Sequence, residues 1–174
     1  GVQDSKNLTD TRARDLAAQV AAAFPNEVVT IMPRRYNELF ARMRTVNRML
    51  AWAHARAIEE VLAKTPAATL AVADQFGDES LIQDALERRG TTVRLVQMHR
   101  GERDPAVAAA SLLARAEFLS RLDQLGRKAG MRLPKGAGAQ VDAAGRALVA
   151  HRGGDVLDEV AKRHFRNTGR VLAG

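Results

Sequence analysis

The chain of 174 residues contains no cysteine. That excludes a disulfide-stapled secreted scaffold, a thiolate zinc site and a cysteine nucleophile, and it fits a reducing, cytoplasmic setting. Aromatic residues are scarce at 4%, with one Trp, one Tyr and five Phe. So few rings argue against platforms on which single-stranded bases stack, and any nucleic acid is expected to be held through its backbone. No apolar run approaches the roughly 20 residues that a membrane helix needs. The opening Gly1-Val2-Gln3-Asp4-Ser5-Lys6-Asn7 shows no basic stretch leading into an apolar core, so neither a secretion signal nor a membrane partner is expected.

What is present is a composition able to bury a core, 46% hydrophobic and 27% charged, at a length suited to one domain. The net charge of +7 is unevenly placed. Residues 1–120 carry 16 basic and 15 acidic side chains, whereas residues 121–174 carry 11 and 5. A basic final third is an electrostatic footprint for a polyanion, although basic residues solvating exposed helices give the same count.

Helical and short apolar segments alternate, the pattern of an α/β domain with a largely parallel sheet. Thr9 or Asp10 caps a predicted helix through Ala23, and Glu27–Met32, β-branched at Val28, Val29, Thr30 and Ile31, reads as a strand. One long helix is predicted from Asn37 to Lys64, with Leu39, Met43, Val46, Leu50, Ala53, Ala57 and Val61 as its buried stripe. Strands are predicted at Thr69–Ala73 and Thr91–Met98, around a helix at Glu79–Arg89. A helix from Pro105 to Lys128 starts behind an Asp104 cap, and two more follow the loop Leu133–Gly138, near Val141–His151 and Asp155–Phe165.

Functional groups collect where parallel strands end, because the loops leaving them form a crevice. Asp74 stands at such an end, as a site residue or as a helix cap, with Asp78 the better placed cap for the helix that follows. The next strand leads into Glu102 and Asp104. Acidic residues at neighbouring strand ends suit Mg²⁺ or Mn²⁺, hard cations that prefer oxygen ligands. Other chemistry finds little support. His54 shares a helix face with Asn47 but reads as packed; His99, His151 and His164 lack ligand spacing; Ser111 has no nearby base. No P-loop or dinucleotide fingerprint follows a strand, so no small-molecule organic cofactor is expected.

Several segments resemble a known family. Asp4-Ser5-Lys6-Asn7-Leu8 is similar to the Asp-Ser-Lys segment of the type 2 ribonucleases H. Pro33-Arg34-Arg35-Tyr36-Asn37, Asn47 and Leu50-Ala51-Trp52-Ala53-His54-Ala55 resemble its HIII branch. Asp74-Gln75-Phe76, Gly101-Glu102-Arg103-Asp104, Ala106 to Arg115 and Ala161 to Thr168 follow in the family's order.

The resemblance implies an RNase H-like α/β fold, a mixed sheet flanked by helices, and an endonuclease that cuts the RNA strand of RNA–DNA hybrids by two-metal-ion chemistry. It implies four carboxylates holding Mg²⁺ or Mn²⁺, of which Asp74 matches the third; Glu102 is the first choice for the fourth and Asp104 the alternative. Ser5, Lys6 and Lys135 are the expected substrate contacts, and the N-terminus of the Pro105 helix is expected to face a phosphate with free N–H groups. The small residues Ala108-Ala109-Ala110-Ser111 are expected to pack that helix closely. The family's first Asp-Glu motif has no counterpart following a strand in residues 1–174. The chain is therefore expected to form a single incomplete catalytic domain with a basic helical portion from about 130 to 174. It should lack its first strands, leave a strand edge unpaired and not cleave alone; a nucleic-acid-binding remnant is the alternative.

Overall fold

The computed structural model describes residues 8–173. Contacts group the chain into two units, one built from the residues up to Thr30 together with Thr45–Phe118, the other from Ile31–Arg44 and Leu119 onward.

Unit 1 is organised around a parallel pair of strands, β1 (Leu70–Asp74) and β2 (Arg94–Met98), in register from Leu70 opposite Arg94 to Asp74 opposite Met98. Parallel strands need a crossover, supplied here by helix α4 (Ser80–Glu87). Behind them lies α3 (Val46–Lys64), and the core joins Ala51 and Ala55 of α3, Ala73 of β1, and Ile82, Ala85 and Leu86 of α4. Ile82 is fully buried, so Ile82→Ala would cost about 2–5 kcal/mol. A second cluster packs Ala13 and Ala17 of α1 (Asp10–Ala23) on Leu112 of α5 (Pro105–Ala129). The small residues of α5 thus serve close packing, with Ala108 buried in the first turns. Arg115 of α5 fixes the start of α1 by donating to the Leu8 carbonyl (2.8 Å) and to Asp10 (2.9 Å).

Unit 2 contains α2 (Pro33–Met43), the second half of α5, α6 (Ala139–Arg152), α7 (Leu157–Val160) and α8 (Arg166–Leu172). Ala129, Leu148 and Val156 centre its core. No helix among the described residues is long and apolar enough to cross a membrane.

Three sequence expectations are corrected. Glu27–Met32 forms no strand; β propensity does not create a ladder partner, and among the described residues β1 and β2 pair only with each other. Side chains hold the start of the segment instead, Lys64 on the Asn26 carbonyl (2.6 Å) and on Glu27 (2.8 Å), and Thr30 on Glu117 (2.8 Å). The helix expected from Asn37 to Lys64 is broken into α2 and α3, because Arg44 adopts φ +66° and Thr45 caps the next turn by accepting from Arg48 N–H (3.3 Å). The break resets the helical phase, so α3 buries Met49, Ala51 and Ala55 and leaves Leu50 exposed. The helix expected over Asp155–Phe165 ends at Val160. Ala161 turns extended, where Asn37 donates to its carbonyl (3.0 Å) and accepts from Arg163 N–H (3.0 Å).

Candidate active site

Asp74 ends β1 with its carboxylate exposed, beside the end of β2. Gln75 N–H extends the ladder by donating to the Met98 carbonyl (3.1 Å), so the two strand ends are fixed as a pair. Asp74 caps no helix. That task falls to Asp78, which accepts from Ser80 N–H (2.9 Å) at the entrance to α4. The same bond holds the Asp78 carboxyl below the usual carboxylate range.

Beyond β2 the backbone turns sharply. Arg100 takes φ +55°, a conformation that a residue with a β-carbon adopts only under constraint, and Gly101–Arg103 forms a 3-10 turn. Buried Gly101 lies against β1 and donates its N–H to Oδ1 of Asp74 (2.8 Å). A β-carbon on Gly101 would sit 2.9 Å from the Asp74 Cα and 3.0 Å from its Cβ. Only glycine permits this approach, and Glu102 is the next residue of the turn. Asp104 is committed elsewhere, its Oδ1 accepting from Ala106 N–H (2.8 Å) and Val107 N–H (3.2 Å).

That cap corrects one expectation. Pro105 has no N–H, Asp104 takes those of Ala106 and Val107, and the Asp104 carbonyl takes that of Ala108 (2.9 Å). The first turn of α5 therefore offers no free N–H group from Pro105 to Ala108 to a phosphate. His54 is packed as expected, its ring 5.0 Å from that of Phe76 and its Nδ1 2.8 Å from the Leu50 carbonyl. Ser5 and Lys6 lie outside the described residues. Lys135 is exposed in the loop before α6, in unit 2. Among the described residues no group of three His, Asp or Glu side chains is arranged to hold a metal ion.

The sequence model of ribonuclease HII matches residues 1–168. The chain belongs to the ribonuclease HII family. Within it, ribonuclease HIII of Chlamydia pneumoniae is 38% identical over 174 residues, covering 99% of this chain and 58% of that protein. Ribonuclease HIII of Protochlamydia amoebophila is 39% identical over 172 residues, covering 99% and 57%. The crystal structure of Bst-RNase HIII in complex with Mn²⁺ superimposes with a TM-score of 0.91 at 32% identity, covering 99% of this chain and 58% of that one. The fold is thus the RNase H-like α/β fold, as the resemblance implied. The chain spans somewhat more than half the length of these relatives.

Two polar clamps in unit 2 escape a reading of the sequence alone. Asn37, the last residue of a family segment, pins the Ala161–Arg163 backbone of another. Asp142, buried on α6, accepts from Asn167 (2.7 Å) and from Nε and Nη2 of Arg170 (2.6 and 3.2 Å). Asn167 also donates to the Ala137 carbonyl (3.1 Å), fixing the loop that carries Lys135. An Asp on an alanine-rich helix carries no local signal, since its partners are 25 and 28 residues away.

Proposed function

We propose that this chain supplies the greater part of a ribonuclease H that cuts the RNA strand of RNA–DNA hybrids with Mg²⁺ or Mn²⁺, and that Asp74 and Glu102 are its metal ligands here. The observation that carries the reading is the Gly101 turn, closed onto Asp74 by a 2.8 Å hydrogen bond. Support comes from membership of the ribonuclease HII family and from a likeness to a relative crystallised with Mn²⁺.

The donors fit such an ion. Both are carboxylates, the hard oxygen ligands these cations prefer. Only Oδ1 of Asp74 is engaged, and Glu102 makes no hydrogen bond or ion pair among the described residues. Asp104, with one oxygen given to two backbone N–H groups, serves as a positioning residue that fixes the start of α5. A bound divalent ion supplies an activated water and neutralises charge on the leaving oxygen of a phosphodiester. Asp74 and Glu102 would hold that ion, while the basic side chains of Lys6 and Lys135 and the hydroxyl of Ser5 would position the hybrid's backbone.

Two carboxylates are half of the four that the family resemblance implies for two-ion chemistry, and the split metal site proposed here takes its other ligands from beyond these 174 residues. A second reading, a module that binds hybrid without cutting it, is favoured by the lack of any three-residue metal group among the described residues. The two are separated by incubating a 5′-labelled hybrid with Mn²⁺ and either the 174-residue chain or the protein at its native length. We expect strand cleavage confined to RNA at native length, and binding without cleavage by residues 1–174. No cleavage at native length favours the binding module, and cleavage by the 174-residue chain contradicts the split metal site.

A further inference from the structure

Net charge segregates by unit. Unit 2 holds 15 basic and 6 acidic side chains, whereas the described residues of unit 1 hold 11 and 13. The basic surface thus includes α2, with Arg34, Arg35, Arg42 and Arg44, as well as the final third. Three of the chain's seven aromatic side chains gather in the same unit. Tyr36 and Phe40 stack at 6.4 Å, the His164 ring stacks on Phe40 at 4.2 Å, and Phe165 leans on His164 at 4.1 Å. This row of rings ends in solvent, for Phe165 is 51% exposed. Arg166, beside it, is exposed and makes no ion pair among the described residues.

We propose that Phe165 is a stacking platform for an unpaired base next to the duplex, and that Arg166 holds the adjoining phosphate. The proposal rests on the nuclease reading for its partner, an RNA–DNA hybrid with a single-stranded extension. Bases inside a duplex are already stacked, so an open aromatic face gains most from an unpaired one. The ring is well anchored for this. Its backbone follows the stretch that Asn37 clamps, and burial and then the charge of Lys162 lower the pKa of the neighbouring His164 imidazole. Scarcity of aromatics along the chain is therefore a poor guide, because three of the seven lie together in the basic unit.

The test uses the 174-residue chain in EDTA, with a fluorescent 12-base-pair hybrid made blunt or with a four-nucleotide DNA overhang, and reads dissociation constants by anisotropy. A stacked base is worth about a 5- to 100-fold gain, so the overhang should tighten binding by at least about five-fold. Phe165→Leu should abolish that gain and Phe165→Tyr should keep it, with blunt-hybrid affinity unchanged in both. Arg166→Gln should weaken binding of the overhang and lower its salt slope by about one. A wild-type chain that binds the blunt hybrid without gaining from the overhang overturns this proposal alone. Equal loss on both substrates in Phe165→Leu overturns it too, by showing a structural role. Failure to bind either substrate removes the nuclease reading as well.

Discussion

The N–H of Gly101 donates to Asp74 Oδ1 at 2.8 Å, and the glycine's α-carbon lies so close that a methyl group there would stand 2.9 Å from the Asp74 backbone. One contact thus closes the turn after β2 onto the end of β1. Gly101→Ala must push β1 and the turn apart, at about 1–3 kcal/mol. Thermal melting should show the loss, and hybrid cleavage at native length should fall further than stability does. A variant that melts and cleaves like the parent would show that the approach is not needed.

Arg44, at the end of α2 with φ +66°, holds a conformation that favours glycine. It is exposed and makes no ion pair among the described residues. Arg44→Gly should stabilise the protein by about 0.5–1 kcal/mol, which denaturant titration can resolve.

Asp142 links stability to pH. Hydrogen bonds from Arg170 and then Asn167, with the charges of Arg170 and Arg146, hold its carboxyl below the usual range. A lowered folded-state pKa contributes stability that is present above the unfolded value and lost as pH falls through the folded one. Asp142→Asn should therefore melt earlier than the parent at pH 7, and the difference should shrink below about pH 4. A gap independent of pH would assign the loss to packing.

If the basic side chains of unit 2 contact phosphates, affinity for a blunt hybrid in EDTA should fall steeply between 50 and 200 mM salt, and Lys135→Gln should reduce the logarithmic slope by about one. Salt-independent binding would contradict backbone contact.

Where structure is set within one turn of chain, the sequence announces it. Thr9 caps α1 by accepting from Arg12 N–H, Asp104 caps α5, and the apolar stretch before Asp74 is a strand. Thr45 does not read as a cap, because no Gly or Pro interrupts the helical pattern around it and a threonine inside an apolar-periodic stretch is equally compatible with a continuous helix. Partners distant in sequence are what local patterns cannot supply. Val28 and Ile31 have strand propensity but no ladder to join. Helix propensity yields at Ala161 to an amide 124 residues away. For the site, Asp74 was visible as a strand-end carboxylate and Glu102 as an acidic residue after the next strand, but the contact that closes the turn onto Asp74 depends on Gly101, whose role appears only when β1 and β2 pair.

The proposed division of roles gives the catalytic metal to Asp74 and Glu102 and the start of α5 to Asp104. It is tested most directly by Mn²⁺-dependent cleavage of an RNA–DNA hybrid at native protein length, with Asp74→Ala, Glu102→Ala and Asp104→Asn compared under identical conditions. The first two should lose at least about 10²-fold in turnover, while melting near the parent temperature, and Asp104→Asn, which can still cap α5, should keep most of its activity. Unimpaired turnover in Glu102→Ala, or collapse in Asp104→Asn alone, would contradict the assignment.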